Sequence, residues 1–92
     1  MKYNATTLTK IEKLITEANY IIRNERGNFM SGYCILEQKR VLVLNKFLST
    51  EGKINTLLEI IPQLHLEQQI LSADSSKTLL EVLNTASLNS NA

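Results

Sequence analysis

The side chains best suited to chemistry in this sequence are one thiol, one imidazole and a scattered set of carboxylates. Cys34 and His65 are the only cysteine and the only histidine among the 92 residues. A thiol beside an imidazole is an activated nucleophile, and the two partners of such a pair meet in space rather than in sequence. A thiol-dependent enzyme would combine Cys34 and His65 with a carboxylate such as Glu59. Its signature would be an exposed thiol that reacts near neutral pH.

The neighbours of both residues favour structural roles instead. Cys34 lies between Tyr33 and Ile35, where a cysteine usually behaves as a small buried hydrophobic side chain. His65 follows shortly after Pro62, a position typical of a surface histidine. A zinc site needs several ligands at matched spacing, and one Cys and one His 31 positions apart do not supply them. We therefore predict no catalytic residue, no metal site and no cofactor, and we favour a function that is not enzymatic.

Phosphate and nucleic-acid binding have equally little support. The residues between Gly27 and Gly32 include no lysine, so neither the phosphate-loop pattern nor the dinucleotide fingerprint is present. The cations Lys39, Arg40 and Lys46 suit contacts with a phosphate backbone. However, the formal net charge is only +1 and aromatic residues make up 5% of the chain, which is a weak nucleic-acid signature. A small nucleic-acid-binding regulator stays open as an alternative, and its binding would weaken steeply with salt.

Length and composition predict one domain over residues 1–92. A chain of this size buries about 60–65% of its unfolded surface, which is enough for one modest core. A single cysteine excludes an internal disulfide and fits a reducing compartment. The N-terminal residues do not resemble a secretory signal, and the apolar runs are too short to span a membrane. We expect a cytoplasmic protein with a polar tail, residues 87–92, that frays.

Apolar residues at helical spacing predict three helices. The first extends from about Thr9 to Arg26, with a capping box at its start and Gly27 as its stop signal. The second begins at an N-cap, Ser49, and ends or kinks at Pro62. The third follows a turn cluster over residues 72–76, with Asp74 or Ser75 as its cap. Residues 64–71 fit either a short strand or a helical turn.

Between the first two helices the sequence predicts an antiparallel β-hairpin, with strands over residues 29–36 and 41–44 and a polar break between them. The fold class is therefore α+β, in the order α-β-β-α-(short element)-α. Both strands are apolar on both faces, whereas a half-exposed hairpin alternates apolar and polar residues. Either helices cover both faces, or the hairpin forms a homodimer or binds another protein. The predicted interface consists of Tyr33, Ile35, Val41, Val43 and Phe47.

Residues 41–58 contain an apolar strand that ends in Leu44-Asn45, a capped acidic turn and a helix. This segment resembles the strand-to-helix unit of ImmA/IrrE-type zinc metallopeptidases, in which the helix carries His-Glu-x-x-His. The corresponding stretch here, residues 58–62, reads Leu-Glu-Ile-Ile-Pro. Only Glu59 matches in residue type, and both histidines are missing. The resemblance therefore implies at most a degenerate metallopeptidase-like domain without zinc.

A second likeness concerns the spacing of Gly27, Phe29, Gly32, Tyr33 and Cys34. This Gly-x-Phe-x-x-Gly-Tyr-Cys stretch is similar to that of short uncharacterised bacterial proteins. The likeness implies a bacterial source and no assigned activity.

Overall fold

A computed structural model describes residues 1–27, 32–36 and 39–90, with the backbone alone described at 32–36, at Lys39 and over 86–90. The fold is α+β, as predicted. Its elements in chain order are helix α1 (Ala5–Glu17), strands β1 (Tyr20–Glu25), β2 (Gly32–Leu36) and β3 (Lys39–Asn45), helix α2 (Thr50–Ile60) and helix α3 (Ala73–Ser90). Two 3-10 turns, Ile61–Gln63 and Gln68–Ile70, connect α2 to α3.

The sheet has three strands in the order β1-β3-β2. Strand β1 is parallel to the central strand β3, with Tyr20 beside Arg40 at one end and Glu25 beside Asn45 at the other. Strand β2 is antiparallel to β3 and pairs along its other edge. The prediction of a sheet made of one antiparallel hairpin is therefore wrong, because the central strand β3 forms its longer pairing with the parallel strand β1. The correct order is α-β-β-β-α-α with two 3-10 turns.

Helix α1 begins and ends earlier than the sequence predicts. Its N-cap is Asn4, whose Oδ1 accepts a hydrogen bond from the Thr7 amide at 3.0 Å. Thr9, the predicted start, lies inside the helix, where its hydroxyl donates to the Ala5 carbonyl. The helix ends at Glu17 because Asn19 has a left-handed backbone, with φ of 66°. Asparagine is one of the few residues that adopts this conformation readily, and it commonly follows a helix C-cap.

The segment predicted as the last two turns of α1 is strand β1. The run Tyr20, Ile21, Ile22 consists of one aromatic and two β-branched residues, which are typical of strands. Its apolar residues also continue the helical spacing that leads up to Ala18, so the periodicity alone does not reveal the change. The helix ends before Asn19, whose φ is positive, and the strand that follows pairs with β3.

The sequence predictions for α2 are confirmed. The Ser49 hydroxyl accepts a hydrogen bond from the Gly52 amide at 3.0 Å, as an N-cap does. The α-helix ends at Ile60, and Pro62 lies in the following 3-10 turn. Proline has no amide hydrogen, so it cannot continue the α-helical hydrogen bonds. Of the two possibilities for residues 64–71, the structure has the helical turn, over Gln68–Ile70.

Helix α3 is capped by a residue that precedes both predicted caps. The Ser72 hydroxyl accepts a hydrogen bond from the Ser75 amide at 3.2 Å, so Asp74 and Ser75 lie within the first turn. Ser72 is held in turn by the last residue of α1. The Glu17 carboxylate accepts hydrogen bonds from the Ser72 amide at 2.7 Å and from its hydroxyl at 3.1 Å. The helical backbone reaches Ser90, beyond the predicted start of the tail.

The bond between Glu17 and Ser72 predicts a pH-dependent stability. The hydrogen bond from the Ser72 amide, with smaller contributions from hydroxyls and Lys13, holds the pKa of Glu17 below its ordinary value. A lowered pKa in the folded state stabilises the protein above the unfolded-state pKa, and this stability is lost as the pH falls through the folded-state pKa. We expect Glu17→Gln to lower the Tm at neutral pH and to have a progressively smaller effect as the pH falls below the ordinary Glu pKa of about 4.3.

Thermal unfolding of the wild type and Glu17→Gln, followed by circular dichroism across this pH range, measures the effect. Glu59→Gln is the matched control, since Glu59 is exposed on α2. A Tm difference for Glu17→Gln that stays constant across the range would contradict the assigned role of the carboxylate.

The core lies between one face of the sheet and the three helices. The sheet contributes Tyr20 from β1, and Leu42 and Leu44 from β3. In the parallel register these residues lie on one side, because Ile22 is beside Leu42 and Asn24 is beside Leu44. The helices contribute aliphatic residues that are nearly or completely buried, among them Ile11, Leu14, Ile15, Ile54, Leu57, Leu58, Leu79 and Val82.

Candidate functional site

The second face of the sheet points away from the core that the helices cover. Side chains alternate along a strand, so the residues between the core positions of β1 and β3 lie on this second face. We define the outer face as Ile21, Arg23 and Glu25 of β1 together with Val41 and Val43 of β3. The register places Ile21 beside Val41 and Arg23 beside Val43. None of these five residues belongs to the core cluster that the helices share.

The outer face combines partly exposed apolar side chains with one ion pair. Ile21 is 43% exposed and Val43 is half-buried, whereas Val41 is buried. The Arg23 and Glu25 side chains form an ion pair with an N–O distance of 2.8 Å. Exposed ion pairs contribute at most about 1 kcal/mol to stability. The pair therefore stabilises the monomer little, and both charges stay accessible to a partner.

Among the described residues, the most exposed large apolar side chain belongs to the turn that follows β3. Phe47 is 74% exposed and belongs to the turn between β3 and α2. The turn is held by Asn45, whose Oδ1 accepts a hydrogen bond from the Phe47 amide at 3.1 Å. The Nδ2 of Asn45 donates to the Gly27 carbonyl at 2.8 Å. The exposed ring thus belongs to a turn that is held by two hydrogen bonds of the Asn45 side chain.

The outer edge of β1 is less suited to binding than the outer face. The Glu25 carbonyl accepts a hydrogen bond from the Lys46 amide at 2.7 Å, so it points toward β3. Backbone groups alternate in direction along a strand, so those of Ile22 and Asn24 point away from β3. Arg23 and Glu25 flank this edge. Charged residues on an edge strand oppose the addition of another strand.

The structure describes three of the five predicted interface residues in full. Phe47 is exposed, Val43 is half-buried, and Val41 is buried within the chain. The side chains of Tyr33 and Ile35 lie outside the described part of the chain. Three outer-face residues, Ile21, Arg23 and Glu25, were not predicted, because the apolar spacing placed them in a helix. The consecutive aromatic and β-branched residues Tyr20, Ile21 and Ile22 are the signal that could have identified a strand.

Of the residues in the enzymatic alternatives, the structure describes the side chains of Glu59 and His65. Glu59 is exposed on α2, and its neighbour Leu58 is buried in the core. The His65 side chain is exposed, while its carbonyl accepts hydrogen bonds from Tyr20 and Arg40, each at 3.4 Å. The Cys34 side chain lies outside the described residues. Among the side chains that are described, no group of three His, Cys, Asp or Glu could hold a metal ion.

The cations of the nucleic-acid alternative are separated along β3. Arg40 is the second residue of this strand, and Lys46 follows its last residue. A rise of about 3.3 Å per residue places their Cα atoms roughly 20 Å apart. The Lys39 side chain lies outside the described residues. Arg40 and Lys46 therefore do not form one compact basic patch.

Comparisons with known proteins add no functional assignment. No protein family, curated protein or solved structure matches this chain. Among the helices over the described ranges, none has the length and apolar character needed to cross a membrane.

Proposed function

We propose that this protein is a non-catalytic interaction module that forms a homodimer through the outer face of its sheet. The observation that carries the proposal is the one-sided packing of the core. Tyr20, Leu42 and Leu44 face the helices, whereas Ile21 and Val43 are partly exposed on the opposite side. Val41 on that side is buried within the chain, so the exposed apolar surface of this face is that of Ile21 and Val43. Covering exposed apolar surface with a second apolar surface is favourable.

Charge favours a second copy of the chain as the partner. The outer face carries one cation, Arg23, and one anion, Glu25. In a two-fold symmetric interface the same patch meets itself, so each Arg23 can lie opposite the Glu25 of the other copy. The formal net charge of +1 also means that two copies repel each other weakly. These features support self-association over binding to a strongly charged partner.

Phe47 is the proposed anchor of this interface. Large aromatic side chains are enriched among the residues that dominate binding energy, and this ring is 74% exposed. Val43 extends the contact along β3. Tyr33 and Ile35 are register partners of Leu42 and Arg40 rather than of Val43 and Val41, so they are not part of this proposed contact. A cytoplasmic location belongs to the same proposal, supported by the single cysteine of the chain.

Light scattering across a wide concentration range tests the proposal. We expect the wild type to have the mass of a dimer, and Phe47→Ser to raise the dimer Kd at least about tenfold. The substitution removes an exposed ring, so it should leave the fold of the monomer intact.

Leu80→Ser is the matched control. Leu80 is 61% exposed on α3, which packs in the helical layer, so its loss should leave the dimer Kd unchanged. A wild-type protein that stays monomeric at every concentration would refute the homodimer. Equal weakening by both substitutions would indicate nonspecific association rather than the outer-face interface.

A further inference from the structure

A second surface feature lies where the chain passes from α1 into β1. A cleft of about 310 Å³ opens here, and its walls include Asn19, Ile21, Arg40, His65, Glu67 and Ile70. The cleft brings together the turn after α1, the beginnings of the parallel strands β1 and β3, and the segment that contains the second 3-10 turn. Its volume is at the lower end of the range for small-molecule sites.

Arg40 is a polar group of this cleft that contacts two other segments of the chain. Its register partner is Tyr20, and the guanidinium carbon lies 5.6 Å from the centroid of the Tyr20 ring. Such a cation–π contact orients the guanidinium plane. One nitrogen also donates to the His65 carbonyl, which accepts a second hydrogen bond from the Tyr20 hydroxyl. The guanidinium is thus held by two contacts, one with the Tyr20 ring and one with the His65 carbonyl.

Among the described residues, the remaining donors of Arg40 have no carboxylate acceptor. Guanidinium has five N–H donors, and the contact with His65 involves one of its nitrogens. Neither ion pair in the described parts of the chain includes Arg40. A planar, pre-oriented fork of donors at the wall of a cleft matches a carboxylate, which can accept two parallel hydrogen bonds from it.

The other walls of the cleft restrict the ligand further. Glu67 contributes a second charge, of opposite sign to Arg40, so it opposes the binding of anions and opposes a dianion more than a monoanion. Ile21 and Ile70 are 43% and 44% exposed, so they offer apolar surface beside the charged groups. A ligand with one carboxylate and a short hydrocarbon chain satisfies both requirements.

We propose that this cleft binds a small aliphatic monocarboxylate. Arg40 would bind the carboxylate, and Ile21 and Ile70 would contact the hydrocarbon chain. The cleft is built within one chain, so this proposal does not depend on the homodimer. Ile21 also belongs to the outer face, and the oligomeric state should therefore be recorded during every titration.

Titration of the ¹⁵N-labelled full chain with hexanoate, followed by two-dimensional NMR, tests the site. We expect saturable shifts at the amides of Asn19, Ile21 and Ile70. Hexanol has the same chain length without the charge, and it should bind at least about tenfold more weakly. Arg40→Gln should weaken hexanoate binding by at least about tenfold.

Two further variants separate a binding role from a structural one. Arg26→Gln makes the same change of charge at an exposed residue just after β1, outside the outer face and the cleft, and should leave the hexanoate Kd unchanged. Glu67→Gln keeps Arg40 in place and should strengthen binding of hexanoate and of the dianion succinate. An unsaturated response to hexanoate, or equal affinity for hexanol, would overturn the proposal. The proposal also fails if Glu67→Gln weakens hexanoate binding or if folded Arg40→Gln binds like the wild type.

Discussion

Leu42→Ala is expected to lower the free energy of unfolding by about 2–5 kcal/mol. Leu42 is fully buried and belongs to the core cluster. It lies in the central strand, with Ile22 beside it in β1 and Tyr33 as its register partner in β2. Alanine would leave a cavity at the point where the sheet meets the helices. Small domains have total stabilities of roughly 5–15 kcal/mol, so the loss would be a large fraction of the total.

Urea unfolding followed by circular dichroism measures this loss as a shift of the transition midpoint. Leu80→Ala is the matched control because it removes the same atoms from a side chain that is 61% exposed. Its effect should stay within about 0.5 kcal/mol. If the two substitutions cost the same, Leu42 does not lie in a packed core, and the assignment of the inner face of the sheet would have to be reversed.

The parts of this fold that sequence predicts well are those determined by short-range chemistry. The N-cap at Ser49 depends on a hydroxyl and an amide three residues later, Gly52. The end of α2 depends on the missing amide hydrogen of Pro62. Both features are visible in a few neighbouring residues, and both occur in the structure.

Strand β1 could not be assigned with the same reliability, because its residues satisfy two periodicities. Ala18, Ile21 and Ile22 continue the apolar face of α1 at helical spacing, while Tyr20 and Ile22 also lie on one face of a strand. The deciding contact is the pairing of β1 with β3. The two strands are separated in sequence by β2, so no local pattern reports this pairing.

The same distinction between local signals and contacts of distant segments applies to the candidate sites. Val43 and Phe47 were predicted as interface residues from the strand and turn that contain them. Ile21 was missed on the outer face because β1 was missed. The cleft beside Arg40 could not be predicted at all, since the contacts of Arg40 with Tyr20 and with the His65 carbonyl join three separate segments.

Asn19→Ala is expected to reduce the free energy of unfolding by about 1 kcal/mol. Asn19 has a φ of 66°, and alanine in this conformation places its Cβ close to the following carbonyl oxygen. The sign of the effect distinguishes two structures of the same segment. If α1 continued to Arg26, alanine would replace a poorer helix-forming residue in the middle of a helix and would raise stability.

Asn19→Gly is the matched variant for this test. Glycine adopts positive φ as readily as negative φ, so it should preserve the turn. In a continuous helix, by contrast, glycine would be destabilising relative to alanine by about 1 kcal/mol. The order of urea midpoints therefore gives a clear result. Glycine above alanine indicates a left-handed turn at Asn19, which ends the helix before β1. Alanine above glycine indicates the continuous helix, which would remove β1, its outer face and the cleft beside Arg40 together.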